Sequence, residues 1–166
     1  MRTAVLRRAE VALAYISACA IFAMMLLISA DVLSRYLLGN PITGAVEFTE
    51  EYLMVMAVFL ALSWTFKEGG HIRVELVVRL LPARWQDRVY AIGNAIAGIV
   101  FAVITALAAT TAVDVWQEGV TSSSSLAYPM APTYVVIVVG SFALTFRLLL
   151  AAFLAVRTGA TEEAER

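Results

Sequence analysis

The sequence has little charge, one cysteine and one histidine, and these scarcities narrow the class of protein. Charged residues make up 15% of the 166 residues and hydrophobic residues 61%, whereas ordinary soluble domains carry about 25% charge. This composition argues against a soluble domain. A net charge of −1 provides no basic field to attract nucleic acid. The single cysteine, Cys19, lies in an apolar run and is interpreted as an inert packing residue.

Motifs for catalysis and cofactor binding are also missing from the sequence. There is no Walker motif and no glycine-rich phosphate loop. His71 has only Glu68 and Glu75 as nearby candidate ligands, and haem would need a second axial ligand, so His71 is predicted to be structural or hydrogen-bonding. The serines at 122–125 form no nucleophile motif, and no histidine lies on the same side of the membrane spans predicted below, so a Ser-His catalytic pair is not available there. We therefore predict no enzyme activity, no metal and no cofactor.

What the sequence does have is four long apolar runs. A membrane helix needs about 20 mostly apolar residues, and a continuous apolar backbone in hydrocarbon must bond internally, as a helix does. The sequence predicts an all-α integral membrane protein, a single domain over residues 1–166 with four transmembrane helices. The spans lie at about 10–31, 48–66, 89–113 and 132–156. In the fourth, Arg147 is predicted to snorkel toward the headgroups.

The basic residues predict the orientation of these spans. Eleven of the twelve lie in the N-terminal tail, the second connection and the C-terminal end, and Arg35 alone lies on the other side. The positive-inside rule therefore predicts that both termini and the second connection are cytoplasmic. The acidic residues of the opposite side are predicted to be almost unopposed; they are Asp31, Glu47, Glu50, Glu51, Asp114 and Glu118.

The N-terminus admits a second interpretation. Arg2, Arg7 and Arg8 before an apolar run are also typical of a secretory signal, and residues 28–30 loosely resemble a cleavage site. The run is long for the apolar region of a signal peptide, which favours a retained helix.

Three carboxylates precede the second span. Glu47 and Glu51 are spaced i, i+4, with Glu50 close by, and like charges on one helix face repel. Two interpretations are open. Either a basic partner relieves the repulsion, such as Arg35 or a residue of another protein, or the acids form a solvated helix end and suit its N-terminal dipole.

The second connection is predicted to contain a short amphipathic helix on the inner membrane surface. Its apolar positions are Val74, Val77, Val78, Leu81 and Trp85. Lys67, Arg73, Arg79 and Arg84 are positioned to meet anionic lipid headgroups, and Trp85 is a candidate interfacial anchor. The alternative is an ordinary positive-inside loop.

Several short motifs follow one another along nearly the whole chain. Arg35-Tyr36 precedes a Gly-Asn-Pro turn, Glu47 and Glu50 begin the second span, and residues 70–75 read Gly-His-Ile-Arg-Val-Glu. Further along stand Ser123, Leu126, Pro129, Tyr134 and Gly140. In order and spacing these motifs resemble the DctQ-like small membrane subunit of tripartite ATP-independent periplasmic (TRAP) transporters.

The resemblance implies a supporting role in the bacterial inner membrane. In that family a large membrane subunit holds the substrate and sodium sites, and a periplasmic binding protein delivers the solute, commonly an organic acid. The small subunit packs beside the immobile part of the large one, among membrane lipids. Candidate interface or structural residues are Arg35, Glu47, Glu50, His71, Arg73, Glu75, Ser123, Pro129 and Tyr134.

Three rival functions were weighed against the same residues. A self-sufficient homodimeric small transporter would need a carboxylate near the middle of a span. A respiratory membrane anchor would usually offer histidines on two helices. A membrane enzyme would need an acid, base or metal cluster from the loops. The sequence supplies none of these at the predicted positions.

Overall fold

The structure is a computed structural model that describes residues 2–67, 83–122 and 126–164, with side chains described for 8–66, 85, 88–122 and 126–154. Apart from one isolated bridge between Thr121 and Pro129, regular structure in these ranges is entirely helical. The amphipathic helix predicted for the second connection, with His71, Arg73, Glu75 and Arg79, lies outside the described residues, and so does Ser123.

The helices follow the apolar runs of the sequence. Helix α1 spans Arg2–Leu38, α2 Ala45–Phe48, α3 Met54–Lys67, α4 Ala83–Glu118 and α5 Ala131–Ala164. A π-helical turn, Thr49–Leu53, joins α2 to α3. Pro132 lies in the first turn of α5, where its missing N–H costs no helical hydrogen bond.

Each predicted span lies inside a helical stretch, and within the described residues three helices are long and apolar enough to cross a membrane. They are Arg8–Leu38, Arg88–Glu118 and Ala131–Leu154. The second predicted span is different because the π-helical turn divides it, and α3 alone has 14 residues. Residues 45–67 together rise about 34 Å at 1.5 Å per residue, which is close to the thickness of the hydrocarbon core.

The long helices pack in a row. The extensive contacts join α1 to α3, α3 to α5, and α5 to α4. A small core cluster of Phe66, Leu144 and Leu148 brings α3 and α5 together, and Phe101 of α4 packs against it. The two helices at the edges of the row, α1 and α4, therefore keep most of their surface exposed.

Small residues mediate the contacts between helices. Gly140 of α5 lies so close to α3 that a Cβ atom there would overlap the carbonyl oxygen of Phe59. Ser17 of α1 is buried and donates its hydroxyl to the carbonyl of Ala57, at 2.6 Å. In lipid no hydrophobic driving force brings helices together, so they associate through close packing of small residues.

Large apolar side chains instead cover the outside of the row. On α1 they include Phe22, Met25 and Leu26, each more than half exposed, and on α4 they include Ile92, Ile99 and Leu107. A soluble protein rarely exposes so much contiguous apolar surface. The distribution fits a protein whose surroundings are lipid or another membrane protein.

The first and third connections lie at the same end of the row, as predicted. The turn at residues 39–44 and the loop at 119–130 meet at one end, because a Cβ on Gly44 would overlap Leu126 and the hydroxyl of Tyr128. We call this the outer end. Glu10, Ser63 and Arg147 meet at the other end, which we call the inner end. Among the described residues, the first and third connections thus lie at one end of the row, and Glu10 and Arg147 lie at the other.

Candidate functional site

The inner end carries an ion pair that joins three helices. The carboxylate of Glu10, on α1, is 1% exposed. Nη1 of Arg147, on α5, lies 3.0 Å from its Oε1 and 3.2 Å from its Oε2. The hydroxyl of Ser63, on α3, donates to Oε1 at 3.0 Å. Each charged group thus compensates the other in a setting where an unpaired ion is costly.

This pair changes the interpretation of Arg147. The sequence suggested a side chain that snorkels outward to the headgroups. The structure instead directs the guanidinium to Glu10 and leaves the side chain 23% exposed. The helices α1 and α5 both pack against α3, which brings Arg147 to the buried carboxylate of Glu10. The cation binds there because a buried carboxylate without a partner would be costly.

Glu10 was missed at the sequence level although a signal was present. It is the only acidic residue before Asp31, and Arg147 is the only charged residue between Ala131 and Val156. Opposite charges placed near the same end of two predicted spans are a reason to expect pairing.

At the outer end a second ion pair closes the turn between α1 and α2. Arg35 donates from Nη2 to Oδ2 of Asp31, one helical turn earlier, at 2.8 Å. Oδ1 of Asp31 accepts the backbone N–H of Ile42 at 2.7 Å. Asp31 is 3% exposed. Because its carboxylate pairs with Arg35, it is opposed within the chain, contrary to the expectation that it stands almost unopposed. The intrachain partner of Arg35 is Asp31, where the sequence had offered Glu47 or Glu50.

Two glycines let the chain turn between α1 and α2. Gly39 follows the end of α1 with φ +69°, and Gly44 precedes α2 with φ +81°, a region that L-residues with side chains rarely adopt. Gly39 is therefore a typical residue just past a helix C-terminus. Gly44 has a second constraint, since Leu126 and Tyr128 leave no room for a Cβ atom.

The π-helical turn anchors the loop between α4 and α5. The hydroxyl of Tyr52 donates to the carbonyl of Pro129, and the hydroxyl of Ser122 donates to Oε1 of Glu51. Thr133 donates to the backbone carbonyl of Glu51 at 2.9 Å. Glu51 and Tyr52, both in the π-helical turn, thus contact the same loop, and such turns are frequent at functional positions.

Aromatic rings and backbone bonds complete this outer cluster. Phe48 and Tyr52 stack with ring centroids 5.1 Å apart, and Tyr128 lies 5.6 Å and 6.0 Å from them. Within the loop, the N–H of Ser122 bonds the carbonyl of Tyr128 at 2.7 Å, and the N–H of Met130 bonds that of Val120 at 3.1 Å. The described parts of the loop, residues 119–122 and 126–130, are thereby bound to each other and to the start of the second span.

The remaining predicted residues fall into distinct surroundings. Glu50 is exposed, and Glu47 and Tyr134 are partly buried. Trp85 is 55% exposed at the start of α4, with the guanidinium carbon of Arg88 5.8 Å from its ring centroid. Lys67 ends α3 and Arg84 lies in the first turn of α4. Pro129 takes part through its carbonyl, which explains a role at that position without any side-chain chemistry.

The described residues bring together no group of three or more His, Cys, Asp or Glu that could hold a metal ion. At both ends the charged groups are paired within the chain: Glu10 with Arg147 of another helix, and Asp31 with Arg35 of its own helix. These contacts and the hydroxyl contacts hold the helices together, and the broad apolar faces of α1 and α4 remain on the outside of the row.

Two comparisons with known proteins bear on this architecture. The family model described as the DctQ component of tripartite ATP-independent periplasmic transporters matches residues 24–158. The matched stretch includes both outer clusters and Arg147, and begins beyond Glu10. No curated protein matches the chain significantly.

Proposed function

The chain belongs to the DctQ component family of tripartite ATP-independent periplasmic transporters, and on that premise we propose that it is the scaffold of the transporter's membrane part. In this proposal it crosses the bacterial inner membrane four times with both termini in the cytoplasm. It supports a large membrane subunit in the sodium-coupled uptake of an organic acid, which a periplasmic binding protein delivers.

The observation that carries the proposal is how the chain disposes of its intramembrane charges. Glu10 and Arg147 neutralise each other at 3.0 Å, and Asp31 holds Arg35 at 2.8 Å. Ionisable groups on a transport path must exchange partners with ions or solute. Here Glu10 and Arg147 bind α1 to α5, and Asp31 and Arg35 pair within α1. Charges held in this way favour a stationary support over a moving carrier.

The row of helices supports the same proposal. An open row leaves the apolar sides of the edge helices α1 and α4 uncovered by the rest of the chain. A closed bundle would bury these sides internally. A flat, rigid row can instead lie along a larger membrane protein and widen it within the bilayer.

The test is recovery of the partner. The tagged chain is purified from its native membrane in mild detergent, and co-purifying proteins are identified and quantified by mass spectrometry. We expect one much larger polytopic membrane protein in stoichiometric amount. Recovery of the chain by itself as a stable homodimer would refute the scaffold role and favour the self-sufficient small transporter.

The orientation has its own test. In a Cys19→Ser background, single cysteines at Ser123 and at Arg84 are labelled in intact cells with a reagent that does not cross the inner membrane. We expect labelling at position 123, and labelling at position 84 only after the membrane is opened. The reverse pattern would overturn the predicted topology while leaving the pull-down result intact.

A further inference from the structure

A groove between α1 and α3 at the inner end is not used by any contact described so far. It is open to the side and has a volume of about 230 Å³. Its walls are Val11, Ala14, Tyr15, Ala18 and Trp64. The lining is mostly apolar, and lipid tails are as apolar as such a lining, so in a membrane its natural occupant is a hydrocarbon chain.

The shape of the groove follows from the sizes of its side chains. Ala14 and Ala18 leave the hollow, and the rings of Tyr15 and Trp64 stand beside it. Tyr15 is 71% exposed, so the groove opens sideways into the surroundings of the protein. Aromatic side chains with a polar edge favour the level of the headgroups, which places the groove directly beneath that level.

A cation lies at the end of the groove that faces the headgroups. Arg8 precedes Val11 by three residues and Tyr15 by seven, so all three share one face of α1. Arg8 is exposed, and it lies about 4.5 Å along the helix axis from the first groove residue, at 1.5 Å per residue. The neighbouring Arg147 is already held by Glu10.

We propose that the groove and Arg8 form a binding site for an anionic phospholipid of the inner-end leaflet. One acyl chain occupies the groove between α1 and α3, and the lipid phosphate lies at Arg8. Charge complementarity selects this occupant over an apolar helix of a partner protein, because the lipid phosphate brings an anion to exposed Arg8 and an apolar helix does not. The proposal rests on the membrane location of the chain and is independent of its scaffold role.

The site is tested by native mass spectrometry of the full, delipidated chain. Phosphatidylglycerol and phosphatidylcholine with identical acyl chains are titrated in parallel. The wild type is expected to bind phosphatidylglycerol about fivefold more tightly, the amount that one basic side chain near a membrane surface contributes. Equal affinity for the two lipids would refute the role of Arg8.

Matched variants separate the groove from the rest of α1. Ala18→Phe fills the groove and is expected to abolish tight binding of both lipids, whereas Ala23→Phe, on an equally exposed alanine outside it, leaves binding unchanged. Equal effects of the two substitutions would overturn the proposed site.

Arg8→Gln keeps the groove open and changes only an exposed side chain, so it tests the site even if Ala18→Phe fails to fold. It should remove the preference for phosphatidylglycerol, while Arg88→Gln at the start of α4 should retain it. A partner helix in the groove would give a different result. Ala18→Phe would then release the large subunit from the complex while lipid binding by the isolated chain persisted, which would refute the lipid site.

Discussion

The buried pair of Glu10 and Arg147 gives the most direct test of how this chain holds together. Removing the cation in Arg147→Met leaves a carboxylate that is 1% exposed, with the hydroxyl of Ser63 as its remaining donor in this pair's network. Breaking a buried ion pair from one side typically costs about 3–5 kcal/mol. We expect Arg147→Met to fall in this range.

Removing the other partner should cost less. In Glu10→Gln the arginine keeps an amide oxygen as acceptor, and its side chain, 23% exposed, can turn toward the headgroups. Loss of a charge-assisted hydrogen bond is worth about 1.5–3 kcal/mol. The double variant Glu10→Gln/Arg147→Met should be more stable than Arg147→Met, because no unpaired ion then remains buried.

The assay is reversible unfolding of the purified chain in mixed micelles, followed by circular dichroism as the denaturing detergent fraction rises. The four members of the double-mutant cycle are measured together, with Arg88→Met as an exposed arginine control. The reasoning would be refuted if the two single substitutions were additive in the double variant. It would equally fail if Arg147→Met were no more destabilising than Arg88→Met.

Four further substitutions have outcomes that the structure predicts. Gly140→Ala should lower the free energy of unfolding by about 1–3 kcal/mol through overpacking against α3. Gly93→Ala, where a Cβ meets nothing within 4 Å, should instead raise the free energy of unfolding by about 0.5–1 kcal/mol. A change of the same sign in both variants would contradict the packing argument. Tyr52→Phe removes the hydroxyl that holds the outer loop, so amide hydrogen exchange in residues 119–130 should accelerate while that of α1 is unchanged, at a cost of about 1 kcal/mol. Arg35→Ala leaves buried Asp31 without its cation and should reduce recovery of the large subunit, or uptake, at an unchanged membrane level; unchanged complex yield and uptake would count against this role.

Composition and run length were sufficient to predict the helical class and the positions of the helices. Long uncharged runs have no other means of satisfying their backbone in hydrocarbon, and every predicted span lies within a helical stretch. The Gly-Asn-Pro turn signal at residues 39–41 was equally direct, since Gly39 adopts a positive φ. The order of short motifs indicated the family that the match over residues 24–158 shows.

The partners of the charged residues were predicted less well. Asp31 and Arg35 have the favourable i, i+4 spacing of a helical ion pair. The signal was missed because the first span was predicted to end near residue 31, whereas α1 continues to Leu38 and includes Arg35. The π-helical turn was also not predicted, because its residues suit an ordinary α-helix and only the loop packed against them favours the wider turn.

The sequence by itself thus determined that the chain is helical and apolar and which segments form its long helices, because these properties depend on local composition. The order of short motifs indicated its family. Tertiary structure alone decided that the helices form a row, that Glu10 binds Arg147 across α3, and that the outer loop is fastened to the second helix. Such contacts join residues up to 137 positions apart. Their formation depends on which helix faces pack together, and small residues such as Gly140 permit that packing without revealing its partner in the sequence.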